Sequence, residues 1–330
     1  MGFDPGANHL IKRETKKDIT SMPDISIVII SWNAKDFLLD CLESLKTNLP
    51  DVSMEIIIVD NASTDGSPEA VEKKYPDIHL IRNDQNYGFA NANNIGIKES
   101  KGRYICLINS DVKVLSECLT RLYDYIEKNP FIGIIGPRIL NSDLSLQCTC
   151  RHFPSLWNIF CSTMALNRLF PNSQIFSDEQ MFYFKHDVIR NVDVLSGCFL
   201  MVRREAFEHV GYLDDQFFMY SEDIDWCKRF WQAGWQIVFF PEAESIHHGH
   251  ASSANNPLRF SAALEKSLFQ YWAKYHSKFS RLVLFCIITL QHILRIISES
   301  LLYVFRPSTR AKRKLQLQKH FGCLNALFKT

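Results

Sequence analysis

The chain has 330 residues, 46% of them hydrophobic and 22% charged, which allows a sizeable core and excludes disorder as its main state. Its 37 Lys and Arg nearly cancel 36 Asp and Glu, so the formal charge of +1 provides no broad basic field to gather nucleic acid. Ten cysteines are too sparse for a disulfide scaffold, and Cys148 and Cys150 lack zinc-finger spacing, so reduced thiols and a cytoplasmic setting are expected.

Residues 1–24 read as a polar leader with no apolar run of signal-peptide length. From Ile25 to about Pro137, short apolar runs alternate with amphipathic stretches, the pattern of parallel strands joined by helical crossovers, which predicts an α/β fold. Strands are predicted over 25–31, 55–60, 78–82 and 103–109, with the Ile and Val content of strands buried on both faces. A helix over 36–47 gathers Phe37, Leu38, Cys41, Leu42 and Leu45 on one face. After Asp60, the turn cluster Asn-Ala-Ser-Thr-Asp-Gly-Ser-Pro can cap a helix from Pro68, and capping is the role expected of Asp65.

Residues 141–190 mix aromatic and polar residues without a period and read as an irregular excursion or lid. Pattern returns with an apolar run over 192–203, broken at Ser196-Gly197, and a helix over 222–233 that ends at Gly234. Two strands, 236–240 and 244–247, flank Pro241, and a helix over 262–276 leads into the tail. The tail's uncharged run, 282–294, is 13 residues long, short of the roughly 20 that a spanning helix needs, so a single bilayer pass is not expected. Gln291, Arg295 and Glu299 recur at helical spacing apart from Ile293, Ile296, Ile297 and Leu301, and past Glu299 come seven Lys and Arg and no acid. An apolar helix followed by a basic cluster suits an anionic surface, which predicts a peripheral protein on the inner face of a membrane. The other reading packs the helix on the domain and leaves the basic tail in solvent.

Asp60 ends one predicted strand and Asp111 lies just past another, where open α/β sheets place their ligand crevice. Asn109-Ser110-Asp111 sets oxygen-bearing side chains at i and i+2, suited to a hard divalent cation that takes its remaining ligands from water and substrate phosphates. One imidazole among His247, His248 and His250 can complete that shell, which admits Mn²⁺ as readily as Mg²⁺. Glu222, Asp223 and Asp225 open a helix, where the dipole favours carboxylates. Three acids in four residues behind Phe217, Phe218 and Tyr220 nevertheless exceed what capping needs and can supply a desolvated general base. Tyr220 is the acceptor-side candidate, while Trp226, Trp231 and Trp235 are expected to pack in the core.

The segments IVIISWN (27–33), VDNASTDGS (59–67), NYGFANANNIGI (86–97), INSD (108–111), SGCFLMVRREAF (196–207), FFMYSEDIDWCKRFWQAGW (217–235) and HHGHASS (247–253) resemble the inverting family 2 glycosyltransferases of GT-A fold. The similarity is greatest to their rhamnosyltransferase-like branch and covers about residues 25–275. It implies a mostly parallel central sheet flanked by helices, with a Rossmann-like nucleotide half and an acceptor half, followed here by a C-terminal helical extension over 276–330. It further implies that Asp60 contacts the nucleotide base with Ser31 and Asn33 nearby. Asn86, Gly88, Phe89 and Asn93 would line the nucleotide-sugar pocket, with Asn109 and Ser110 beside them. Asp111 and His247 would hold the metal, and Asp223 would be the catalytic base, with Glu222 orienting the acceptor or sugar. Asn109 replaces the first acid of the family's usual Asp-x-Asp motif, which leaves one fewer negative charge at the metal.

The implied reaction moves rhamnose or another hexose from a dTDP- or UDP-sugar to a saccharide or lipid-linked acceptor in surface polysaccharide biosynthesis, with Mg²⁺ or Mn²⁺. A dinucleotide oxidoreductase is disfavoured because SWNAKD follows the first strand in place of Gly-x-Gly-x-x-Gly, and a nucleotidyltransferase lacks its Gly-rich loop for the same reason. The alternative from another class is a catalytically silent nucleotide-sugar-binding or scaffold protein of a membrane-associated assembly. The co-occurrence of Asp60, Asp111, Asp223 and His247 opposes it.

Overall fold

The computed structural model describes residues 22–48, 52–249 and 257–327; the leader up to residue 21 and His250 of the histidine cluster lie outside these. The alternating N-terminal half comprises β1 (Ile25–Ser31), α1 (Lys35–Thr47), β2 (Met54–Asp60), α2 (Ser67–Lys74), β3 (His79–Arg82), α3 (Phe89–Glu99) and β4 (Tyr104–Asn109). Next come β5 (Val112–Val114), α4 (Cys118–Lys128) and β6 (Ile132–Leu140). The stretch expected to be irregular holds β7 (Leu146–Gln147), β8 (Cys150–Arg151), α5 (Leu156–Thr163) and α6 (Leu166–Leu169), and β9 (Arg190–Asn191) and β10 (Val194–Leu195) follow as regular pattern returns. The remainder is β11 (Phe199–Arg203), α7 (Arg204–Val210), α8 (Glu222–Gln232), β12 (Gln236–His247), α9 (Pro257–Tyr275), α10 (Lys278–Phe305) and α11 (Arg310–Leu327).

Period-two alternation in β1 divides its side chains between two cores: Ile25, Ile27 and Ile29 enter one and Val28 the other, because helices cover both faces of the sheet. The main sheet runs β3-β2-β1-β4-β11-β6-β12-β5. Its first four strands are mutually parallel, as are β6 and β12, while β11 lies antiparallel between β4 and β6, and β5 antiparallel on β12. Register sets Ser31 beside Asp60, and Ile30 beside Asn109, so the carboxyl ends of β1, β2 and β4 share one edge. Antiparallel pairing of Phe199 with Ile108 brings the residues before β11 against those after β4, and pairing of His247 with Val112 sets that histidine beside Asp111.

Several expectations are refined. Asp65 stands one residue before Gly66, the N-cap of α2, which makes no side-chain cap bond; its Oδ1 accepts from Ser67 N–H at 3.0 Å and its Oδ2 from Lys35 N–H at 2.9 Å, tying together the starts of α1 and α2. The two strands expected around Pro241 form one, β12, whose register shifts between Phe240 and Glu244, a bulge that accommodates the proline. Trp226 is fully buried, but Trp231 is exposed on the outer side of α8, and Phe37 is likewise on the surface of α1.

Tyr271 and Trp272 of α9, Leu284 and Ile288 of α10 and Leu327 of α11 join the same buried cluster as Phe207, Trp226 and Phe239, so packing continues past residue 275. Helix α10 is 28 residues long and, by length and composition, apolar enough to cross a membrane, its most apolar 18 residues having a mean hydropathy of 1.7. It outruns its uncharged stretch because its polar positions find partners. Gln291 Oε1 accepts from Thr163 Oγ1 at 3.1 Å and Glu299 pairs with Arg313 at 3.0 Å. Ile293, Ile297 and Leu301 are exposed.

Candidate active site

A cavity of 560 Å³ opens at the carboxyl ends of β1, β2 and β4, within the range of small-molecule sites. Asn86, Gly88, Phe89, Asn109, Ser110, Asp111, Glu222, Asp223 and His247 all line it. The topology explains why residues so distant in sequence meet there: Asn109 N–H donates to Cys198 C=O at 2.9 Å, and Gly197 N–H donates to Asp223 Oδ2 at 3.2 Å. The short segment 196–198 therefore bridges the Asp111 turn to the start of α8. Burial pushes the Cys198 thiol up to about 12, and the Asp111 and Asp223 carboxylates add to the rise.

Asp111 Oδ1 lies 3.2 Å from His247 Nε2. The side-chain amide of Gln147 donates to Asn141 Oδ1 at 2.8 Å and to His247 C=O at 3.2 Å, so its Oε1 is left to accept from His247 Nδ1–H at 2.6 Å. The Nδ1–H bond orients the ring so that Nε2 faces the carboxylate, and in the neutral imidazole two acceptors then converge on one point. A divalent cation fits such a donor set: Mn²⁺ accepts both the carboxylate and the imidazole, whereas Mg²⁺ would be held through the carboxylate oxygen and water. His248 is committed elsewhere: its Nδ1 hydrogen-bonds Ser142 Oγ at 2.8 Å and its backbone N–H donates to Asp111 C=O.

At the start of α8, Tyr220 and Ser221 both have left-handed backbone, with φ of 70° and 64°. Each such non-glycine residue stores strain of about 1–3 kcal/mol, and together they turn the chain so that Glu222 and Asp223 reach the cavity. Glu222 is buried, and its Oε2 has no hydrogen-bond partner among the described residues. Desolvation, and then the adjacent Asp223 charge, raise its acid well above the ordinary carboxylate range. Asp223 is half-buried, its Oδ2 accepting from Gly197 N–H at 3.2 Å and its Oδ1 from Ile224 N–H at 2.9 Å.

Four expected site residues do not line the cavity. Ser31 is buried at the end of β1, and Asn33 Oδ1 accepts from Thr64 N–H at 2.8 Å, bracing a loop. Asn93 is directed back along its own helix, its Nδ2 donating to Phe89 C=O at 2.9 Å. Asp60 sits on the same edge as the cavity; Oδ2 accepts from Ser63 N–H at 2.9 Å and the buried Oδ1 has no partner among the described residues.

Sequence reasoning missed Asn61, Trp32 and Arg151. Asn61 makes four hydrogen bonds of 3.0–3.1 Å with Asn83, Asn86, Tyr87 and Gly88, and so holds the whole 83–88 loop that lines the cavity. Its signal was the run of turn residues after Asp60. Arg151 comes from the irregular stretch, part of which, with Gln147 and Thr149, forms a cavity wall.

A family model described as glycosyl transferase family 2 matches residues 26–211. The chain is 31% identical over 259 residues to an N-acetylglucosaminyl-diphospho-decaprenol L-rhamnosyltransferase of Mycobacterium tuberculosis, covering 71% of this chain and 78% of that one. It is 28% identical to the rhamnosyltransferase WbbL of Escherichia coli, covering 76% and 93%, and 28% identical to the dTDP-rhamnosyl transferase RfbF of Shigella flexneri, covering 68% and 69%. Among solved structures, the mannosyltransferase PcManGT from Pyrobaculum calidifontis, in complex with GDP-Man and Mn²⁺, superposes with a TM-score of 0.54 at 14% identity over 94% of this chain and 88% of that one.

Proposed function

The chain belongs to the family 2 glycosyltransferases, in their rhamnosyltransferase-like branch and with the GT-A fold, and from that premise we propose a metal-dependent inverting reaction. It moves rhamnose or another hexose from a dTDP- or UDP-sugar to a saccharide or lipid-linked acceptor of a surface polysaccharide, at the inner face of a membrane. The observation that carries this reading is the bridge at Gly197 and Cys198, which brings the Asp111–His247 pair and Asp223 to one cavity. The named activities of the mycobacterial and Shigella relatives support the sugar and the donor.

Asp223 removes the proton of the acceptor hydroxyl as its oxygen bonds the anomeric carbon, and the bond from that carbon to the diphosphate breaks on the opposite face. Glu222, whose burial and neighbouring Asp223 charge favour the protonated acid, donates a hydrogen bond to sugar or acceptor and leaves the role of base to Asp223. A cation held by Asp111 and His247 would neutralise the departing charge. Arg151, on the cavity wall, offers a bidentate cation to the diphosphate. Asp60 stands at the cavity edge beside Asn61 and is assigned to the nucleotide base, which its buried Oδ1, without a partner among the described residues, can reach only after the 61–65 loop shifts.

Calorimetric titration with UDP and dTDP, in Mn²⁺ or Mg²⁺ and then in chelator, tests the assignment. Metal-dependent binding of one nucleotide is expected, weakened in Asp111→Ala. Asp223→Asn should bind nucleotide normally yet transfer sugar about 10²–10⁴-fold more slowly. Normal turnover by Asp223→Asn overturns the base, and binding without transfer to any acceptor turns the reading toward a silent nucleotide-sugar-binding protein.

A further inference from the structure

Away from the cavity, three helices bring a second set of ligand-type side chains together. Glu265 of α9, His292 of α10 and Cys323 of α11 place a carboxylate oxygen, an imidazole nitrogen and a thiol sulfur within 4.8 Å of one another. His292 Nε2 is 3.0 Å from Glu265 Oε1, and its Nδ1 is 3.1 Å from Nδ1 of His320. His292 and Cys323 are only 1% and 3% exposed, and Glu265 is half-buried. None of the four lines the catalytic cavity.

We propose that Glu265, His292 and Cys323 form a three-ligand Zn²⁺ site, with water in the fourth position. Thiolate, imidazole and carboxylate together suit a borderline-soft ion, whereas Mg²⁺ and Ca²⁺ take oxygen ligands. Zinc bond lengths of about 2.0–2.3 Å put tetrahedral ligands roughly 3.5 Å apart, so these groups need only small movements to close on one ion. His320 supplies the outer partner that ligating imidazoles use: with His292 Nε2 on the metal, Nδ1–H donates to His320 and fixes the ring. One ligand comes from each of three helices, so the ion clamps α10 and α11 to α9. Helix α9 in turn holds the catalytic helix, since Lys274 and Tyr275 both bond Asp225 at 2.7 Å.

The test uses the full chain, treated with chelator and titrated first with Co²⁺ as a spectroscopic probe and then with Zn²⁺. A single equivalent of Co²⁺ should give a thiolate-to-metal charge-transfer band in the near ultraviolet, displaced by Zn²⁺, and Zn²⁺ should raise the melting temperature. Cys323→Ser should lose both the band and the shift. Asp111→Ala should keep them, which separates this site from the donor site, and so should Cys286→Ser, which removes the exposed thiol of α10. If Cys323→Ser does not fold by circular dichroism, His292→Gln takes its place, with tighter-than-micromolar Zn²⁺ binding expected to be lost. No thiolate band in the unmodified chain, or an equal band in the Cys323 or His292 variant, overturns the proposal and leaves a buried hydrogen-bonded relay.

Discussion

Glu222 and Asp223 are neighbours in sequence with opposite surroundings: one carboxyl is buried with a partnerless oxygen, the other is half-buried and held by two backbone N–H groups. Because the folded-state pKa of Glu222 is raised, its favourable contribution to stability is present below the ordinary carboxylate range and is lost as pH climbs toward the folded value. Urea unfolding across pH should therefore show the wild type losing stability relative to Glu222→Gln by about 1.4 kcal/mol per pH unit above that range. Parallel profiles for the two proteins would contradict the protonated assignment. Gly88 carries a steric demand of another kind: its φ is +84°, and an added Cβ would collide with the Phe218 carbonyl, which accepts from Phe89 N–H at 2.7 Å. Gly88→Ala should destabilise the fold by about 1–3 kcal/mol and weaken nucleotide binding more than tenfold in calorimetry, since the loop must leave the cavity wall. Asp111, His247, Glu222 and Asp223 were legible in the sequence because each ends or opens a periodic element where a ligand crevice forms. Asn93 misled because it stands one helical turn from the cavity-lining Phe89, yet its amide turns back to that residue's carbonyl. Arg151 was illegible because a cation in an aperiodic stretch carries no information about what it faces.

Three acids open α8, and the structure divides their work. Glu222 and Asp223 face the cavity, whereas Asp225 is fully buried and takes Arg229 Nε at 2.9 Å, Lys274 Nζ at 2.7 Å and Tyr275 Oη at 2.7 Å. The sequence showed an excess of carboxylates over capping need, but the α9 partners of Asp225 are 49 and 50 residues away and no local pattern announces them. Asp225→Ala would remove the carboxylate shared by Arg229, Lys274 and Tyr275, leaving Lys274 with Asp214 and Arg229 with the Val210 and Tyr212 carbonyls, so unfolding in urea should show a loss of about 1–3 kcal/mol with the m-value unchanged. A loss under 1 kcal/mol would mean that solvent reaches Arg229 and Lys274 and that α9 is held by its apolar packing and its bonds to Met219, Gln216 and Asp214. The alternation of strands and helices through β4 was readable because a two-sided sheet requires Ile and Val runs at that spacing. The single strand β12 was not, because a proline inside a strand reads as a break unless the partner's register shift is known.

At the scale of the molecule, α10 is turned differently from the reading that its charges invite. Gln291 and Glu299 point into the protein toward Thr163 and Arg313, and the outward side carries Leu290, Ile293, Leu294, Ile297, Leu301, Val304 and Phe305, all exposed. Arg306, Arg310, Lys312 and Lys314 follow at its end, also exposed, so apolar and cationic surface adjoin. Water disfavours such a contiguous apolar stripe, whereas an anionic bilayer accepts the apolar side chains below its headgroups and the cations among them. The proposed membrane contact thus predicts flotation with vesicles containing anionic lipid, weakened by salt and absent with neutral vesicles at physiological ionic strength. Ile297 and Leu301 are 53% and 55% exposed, so Ile297→Asp with Leu301→Asp should leave urea unfolding unchanged. The pair should cut vesicle affinity at least tenfold, because each side chain forfeits roughly 1.5–3 kcal/mol of burial. Equal flotation by this variant would leave the membrane contact without its apolar part. Alkaline carbonate then decides the mode of attachment: release fits a helix lying in the interface, while retention with the membrane fraction would mean that the 28 residues of α10 cross it.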